Sequence, residues 1–289
     1  MAQSAFRHRN LARRRIVGGL GVGLALVCAI IGAASLLVIL CYVIVQGAGA
    51  LNRDFLTQLP HPVGVPGGGV GNGILGTFII LGIAIAMAVP IGLLTAIYLS
   101  LFGRGPIPEA LRFLSDVLSG VPSIAIGLFA YAVLVAPLKH FSAFSASFAF
   151  MMLMLPLLVR TSEQAIRSVP QTVREGALAL GMSNFRATVR IVIPTAMPAI
   201  ITALLLAIAR VIGETAPLLF TAFGSQFWES NPNRPMAVLA LQVFTYAISP
   251  YPSWQAQAWG GALLLIGAVF VLSLGARLML RRAMRGLEA

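Results

Sequence analysis

The sequence predicts an all-α, polytopic membrane protein with six transmembrane helices. Three observations carry that prediction. Of 289 residues, 58% are hydrophobic and only 10% are charged, with a mean hydropathy of +0.93, whereas soluble domains are near a quarter charged. The charges cluster, leaving apolar stretches of the ~20 residues needed to cross a bilayer's hydrocarbon core. The basic residues also fall on alternate connections, as they do in chains oriented by the positive-inside rule.

In chain order the predicted spans are 16–46, 74–100, 113–137, 141–159, 195–223 and 257–280. Each must be helical, because backbone facing lipid has no water to satisfy its peptide groups. The first stretch is about 30 residues, beyond the 7–15 of a signal-peptide core, so a retained and tilted helix is expected. Its two cysteines, Cys28 and Cys41, lie about 20 Å apart along one helix. They are too far apart to bridge each other, and packing in the core is expected of them. Residues 47–73, rich in Gly and Pro, form a loop. Within it Gly71, Gly73 and Gly76 spell G-x-G-x-x-G, but no strand precedes them and no acidic residue follows at the right distance. Close packing or backbone flexibility therefore replaces a dinucleotide site. The stretch 236–249, between Pro235 and Pro250, is apolar but too short to span, which leaves a re-entrant or an interfacial segment.

With the N-terminus in the cytoplasm, sixteen of the twenty basic residues fall on the inner side, at 7–15, 104–112, 160–190 and 277–285. Only Arg53, Lys139 and Arg234 fall outside, and Arg210 lies within a span. The net charge of +12 therefore orients the chain rather than binding nucleic acid. Trp228, Trp254 and Trp259 gather near the last outer loop, as an interfacial belt requires.

Three constellations carry chemistry. On the inner side, Pro170 ends one helix, and Thr172-x-x-Glu175 has the form of a capping box that starts another. Gly181 stands at a helix C-cap, and Ser183 can cap the helix that runs to Pro194. The result is a helix-turn-helix elbow holding Glu175, Gly176, Ala177, Gly181, Ile191, Ile193 and Pro194. Its small and apolar residues at 177, 178 and 180 suit a docking surface better than a solvated connection. In the fifth span, Arg210 is expected near mid-depth, where an arginine marks function by default. Glu214 is expected one turn on as its partner, with Gly213 and Pro217 loosening the helix beside it. This pair reads either as a salt bridge locking the bundle or as an anion site, since guanidinium matches phosphate oxygens. At the inner end of the fourth span Arg160 and Glu163 are neighbours at i,i+3, read as positive-inside anchoring or as an exit-path pair. Asp116 is expected at the inner interface.

Energy supply is excluded from the chain itself. A P-loop needs Gly-Lys-[Ser/Thr], and the single lysine, Lys139, lies between Leu138 and His140. Three scattered histidines and two membrane cysteines make no zinc site, and a membrane enzyme lacks a nucleophile here.

The spacing E-x-A-x(3)-G-x(9)-I-x-[LI]-P at 175–194 resembles the signature with which ABC importer permeases dock on their ATPase. The segments GGVGNGILGT (68–77), VPSIAIGLF (121–129), LPLLVRTSEQAIRSVPQTVREGALALG (155–181) and RVIGETAPLLFTA (210–222) narrow the resemblance to the PstA-type permeases of bacterial phosphate importers. Gly176 replaces an alanine of the general pattern and is harmless by size. The resemblance implies a type I importer permease of the MetI-like kind. It divides into 1–65 (basic segment, first span and outer loop) and a permease core at 66–285 with a coupling loop at 161–194. It also implies a multi-pass protein of the bacterial inner membrane with both termini cytoplasmic. The implied partners are a PstC-like second permease, a PstB-like ATPase dimer, a PstS-like phosphate-binding protein, inorganic phosphate and the lipid bilayer. No cofactor is expected in this chain, ATP and Mg²⁺ being bound by the ATPase. Arg210, Glu214, Arg160 and Glu163 would then line the substrate path, and the elbow would transmit ATPase closure. The alternatives are a related importer for another oxyanion or a phosphonate, and a stand-alone ion-coupled anion carrier.

Overall fold

The computed structural model describes the backbone of residues 2–65, 67–101, 103 and 105–288, and within these the side chains of 17–278. The basic flanks expected at 7–15 and 281–285, and Arg104, lie outside the described side chains. The described residues are helical apart from connections and one isolated bridge between Phe223 and Met236. Five helices are long and apolar enough to cross a membrane: α1 (Ala2–Gly47), α3 (Gly71–Leu101), α6 (Ala143–Arg167), α8 (Asn184–Val211) and α11 (Pro252–Glu288). The shorter helices are α2 (Arg53–Thr57), α7 (Gln171–Ala179), α9 (Ala216–Thr221) and α10 (Leu239–Ala247).

The expected third span differs. It is a pair, α4 (Pro106–Gly120) and α5 (Ser123–Leu138), bent by 105°. Pro122 causes the bend. A residue before proline is pushed out of the α region, and Val121 is extended at φ −68°, ψ 130°. The fifth span also departs from a single helix, stopping at Val211 and resuming at Ala216. Two π turns, Tyr131–Val135 and Thr188–Val192, each close on the residue before a proline. Ala136 N–H reaches Tyr131 O and Ile193 N–H reaches Thr188 O. Pro137 and Pro194 crowd the preceding turn, and an i→i−5 bond relieves it.

The molecule has two ends: a cap end holding residues 47–70, 139–142 and 222–251, and an elbow end holding 168–192. The core forms where α3 and α6 run side by side in the same direction. Ser147 Oγ donates to Ile80 O at 3.0 Å near the cap end, and a side chain at Gly92 would strike Leu158 further along. Alanines 84, 88, 146, 203 and 207 are fully or almost fully buried between the spans. Small residues let helix backbones approach, the main source of helix association in lipid.

The glycine-rich cap is packed tightly, so of the two expectations for it close packing holds. Val70 N–H donates to Phe55 O at 2.7 Å, Gly71 N–H to Gln58 O at 3.1 Å, and Asn72 Nδ2 to Ser225 O at 2.8 Å. A Cβ on Gly69, Gly73 or Gly76 would overlap Phe55 O, Gln242 Oε1 or Ala237 O respectively. The short α2, capped by Asn52 Oδ1 accepting from Phe55 N–H at 2.7 Å, was not legible within the expected loop. The 236–249 stretch becomes α10. Leu239 N–H donates to Thr77 Oγ1 at 3.0 Å, six residues into α3 and so about 9 Å below its start. Cys28 and Cys41 are exposed, which overturns their expected core packing. Beyond its last turns, where Tyr42 meets Trp259 edge-on at 5.2 Å, α1 touches little of the bundle.

Gly76→Ala is expected to destabilise the cap by about 1–3 kcal/mol, read as a lower thermal midpoint in detergent. Gly82→Ala on the same helix, with nothing near its Cβ, should be neutral or mildly stabilising.

Candidate functional site

At the elbow end, α7 begins after Pro170 and carries no side-chain cap. The expected capping box does not form: Thr172 already lies inside the helix, because Pro170 is the residue that sets its start. Glu175 is therefore an exposed carboxylate without an ion-pair partner among the described residues. The C-terminus behaves as expected. Gly181 takes φ 82°, with its N–H on Leu178 O at 2.9 Å and the Met182 N–H on Ala177 O at 3.2 Å. These two bonds are the Schellman pattern, which needs a left-handed residue at that point. Ser183 Oγ accepts from Arg186 N–H at 3.4 Å and starts α8. Ala177 is buried, Ile191 and Ile193 are half-buried, and Gly176 and Pro194 are exposed. A Cβ at Gly176 meets nothing within 4 Å. The turn pushes two apolar side chains out: Leu180 is 86% and Phe185 76% exposed. Phe185, outside the motif positions, was legible only as an apolar residue in a polar loop.

Above the elbow lies a charge cluster. Glu163 is only 3% exposed; its carboxylate accepts from Arg112 Nε at 2.8 Å and Arg160 Nη1 at 3.4 Å, and forms an ion pair with Arg167 Nη2 at 3.0 Å. Arg160 reaches in addition to Asp116 with two bonds of 2.9 Å, and Arg112 Nη2 donates to Leu99 O at 2.8 Å. The i,i+3 pair Arg160–Glu163 is present as expected, yet Glu163 lines no open surface: it is the buried hub joining the ends of α3, α4 and α6. Arg112 and Arg167 were missed because their partnership with Glu163 depends on where α4 comes to rest, which spacing along the chain does not reveal. Asp116, expected at an interface, is the exposed partner of Arg160.

The third constellation is the break between α8 and α9. Arg210 is exposed on the last turn of α8, and Glu214 is half-buried beyond it. The expected ion pair between them is not formed, and Arg210 has no ion-pair partner among the described residues. The reason is local. An i,i+4 pair needs a continuous helix, and Pro217 supplies no N–H for the Gly213 carbonyl. The chain turns instead, with Glu214 N–H on Val211 O at 3.0 Å and Leu218 N–H on Thr215 O at 3.1 Å. Pro217 packs against Gly127 of α5, where a Cβ would overlap the Pro217 Cα, so the two interrupted spans meet. The cap end also has a cavity of about 320 Å³ whose lining includes Gln226, Gln242, Thr245, Tyr246 and Trp254. None of its lining residues is cationic, so Arg210 is the better anion receptor.

A family described as the binding-protein-dependent transport system inner membrane component matches residues 88–285. The phosphate transport system permease protein PstA of Yersinia pestis is 36% identical over 274 residues, covering 94% of this chain and 93% of that protein. PstA of Haemophilus influenzae is 40% identical over 266 residues, covering 92% and 94%. The chain belongs to this permease family. PstA 1 of Mycobacterium tuberculosis H37Rv is 41% identical over 214 residues, covering 73% and 70%. The inward-facing MetNI methionine ABC transporter shares the fold at a TM-score of 0.59 and 14% identity, over 74% of this chain and 94% of that one. Like other members of the permease family, the chain is a transport component and not an enzyme. The MetI-type fold expected from the resemblance is therefore observed.

Glu163→Ala would leave three arginines facing one another without their carboxylate. Loss of one partner from a buried ion pair costs about 3–5 kcal/mol, so the variant is expected to lose thermal stability by that order, with Asp116→Ala, at an exposed pair, losing little.

Proposed function

We propose that the chain is the membrane-spanning PstA-type subunit of an ATP-dependent phosphate importer. In this reading the elbow end and both termini are cytoplasmic, as the sixteen basic residues on that side support. A second permease completes the path, a pair of ATPases that bind ATP and Mg²⁺ docks on the elbow, and an external binding protein delivers phosphate. The relatives over nine-tenths of the chain support that assignment.

One observation carries the substrate: Arg210 presents its guanidinium at a helix break without a counter-carboxylate. An arginine in a span costs several kcal/mol unless it faces protein or a water-filled cavity, and its fork matches phosphate oxygens. Glu214, held off Arg210 by the turn, limits how long an anion stays there. Arg160 lines the cytoplasmic part of the path while Glu163 holds it in place.

Coupling runs through one element. Helix α8 starts in the elbow at Asn184 and ends at Val211, beside Arg210. A rod of about 40 Å therefore links the ATPase contact to the anion contact, and rigid-body movement at one end is felt at the other. Glu175, Ala177, Gly181, Ile191, Ile193 and Pro194 shape the elbow; Leu180 and Phe185 enter the ATPase.

Arg210→Gln is expected to lower phosphate uptake into proteoliposomes by about 10- to 100-fold, the worth of a charged hydrogen bond, with the four-component complex still co-purifying. Unchanged uptake would remove Arg210 from the path, and equal uptake of sulfate by the unaltered complex would replace phosphate with another oxyanion. Phe185→Ala should weaken ATPase retention about tenfold, as for an interface anchor; undiminished retention would place the contact elsewhere.

A further inference from the structure

Helix α4 was expected to begin a transmembrane span, and it is turned away from the rest of that span. Its axis is bent 105° from that of α5, which runs back toward the cap end, so α4 lies close to the bilayer plane. Its depth is set by its anchors. Arg112 holds Leu99 O on the last turns of α3 and Glu163 near the end of α6, and Asp116 holds Arg160. Both anchors lie within two turns of the ends of crossing helices, at the boundary between hydrocarbon and water.

The two faces of α4 differ. At 100° per residue, Arg112, Ser115 and Asp116 point toward α6, while Ile107, Phe113, Leu114 and Val117 fall within an arc of about 120° on the other side. Those four residues are 64%, 67%, 53% and 46% exposed. The arc, which includes Ala110, carries no hydrogen-bonding side chain. Protein interfaces carry about one hydrogen bond per 100–200 Å², whereas an apolar face of Phe, Leu and Ile opposite a charged face is what lies in a lipid interface.

We propose that α4 is an interfacial lipid-binding helix, its Ile107–Phe113–Leu114–Val117 face immersed among phospholipid acyl chains of the leaflet at the elbow end. The bilayer then supports the bent pair from below, and the Glu163 cluster clamps it from the protein side. Lipid thus fixes the depth at which α5, and through Gly127 the Pro217 break, is held. The proposal concerns the bilayer contact and is independent of which anion is carried.

The test uses the assembled transporter in phosphatidylethanolamine–phosphatidylglycerol vesicles, in a Cys28→Ser, Cys41→Ser background. Phe113→Cys or Val117→Cys is labelled with an environment-sensitive fluorophore, and Ser119→Cys serves as the opposite-face control. Lipids spin-labelled near the acyl carbonyl should quench positions 113 and 117 at least about twofold more than position 119, as for an interfacial helix, and aqueous iodide should quench them less. Strong iodide quenching at 113 and 117 would overturn the proposal by placing the face in water. Protection from both quenchers would also overturn it, by assigning the face to the second permease or the ATPase. An unchanged size-exclusion profile certifies each labelled complex, and Ile107→Cys repeats the measurement where Phe113→Cys fails to assemble.

Discussion

A peptide group inside hydrocarbon must be satisfied within its own helix or by protein around it, and the rest of this molecule follows from that constraint. Pro90, Pro156 and Pro198 are carried inside helices that continue past them. Where Pro122 and Pro217 stand, the helix stops and the freed groups are taken up in turns. The two stops are not scattered through the bundle, because Gly127 admits Pro217 and brings the interrupted spans together. The two helix breaks are thus joined through one contact, and an exposed arginine stands beside the second.

Charge is handled by the same economy. Glu163 is buried, yet three guanidiniums surround it, so the cluster ties α3, α4 and α6 together without leaving an unpaired ion inside. Arg210 is the contrasting case: exposed, and separated from Glu214 by the turn that Pro217 enforces. One arrangement binds helices to each other, and the other leaves a cation accessible. The difference lies in backbone geometry, since both sites are drawn from arginines and glutamates a few residues apart.

The second helix of the elbow and Arg210 belong to the same element, α8, so one continuous rod joins them. A Schellman turn at Gly181 sets the direction of the elbow, Ser183 starts the rod, and Val211 ends it. The π turn before Pro194 absorbs the crowding of the proline without breaking the rod.

Hydropathy, loop charge and proline placement by themselves determined an all-helical membrane bundle, the positions of most spans, the Gly181 cap and the Ser183 cap. These are properties of local sequence, expressed wherever the chain sits, because lipid forbids most alternatives. Tertiary structure decided the rest. The partners of Glu163 are Arg160 and Arg167 from its own helix and Arg112 from α4, and Arg112 joins them only because α4 folds back onto α6. The apolar sequence of 113–137 looks like one straight span until the break at Pro122 bends its first part by 105° from the rest. The Arg210–Glu214 spacing promises a pair that the turn at 212–215 denies. For Gly69, Gly73 and Gly76 the sequence left close packing and backbone flexibility both open, and only the approach of Phe55, Gln242 and Ala237 makes their missing side chains necessary.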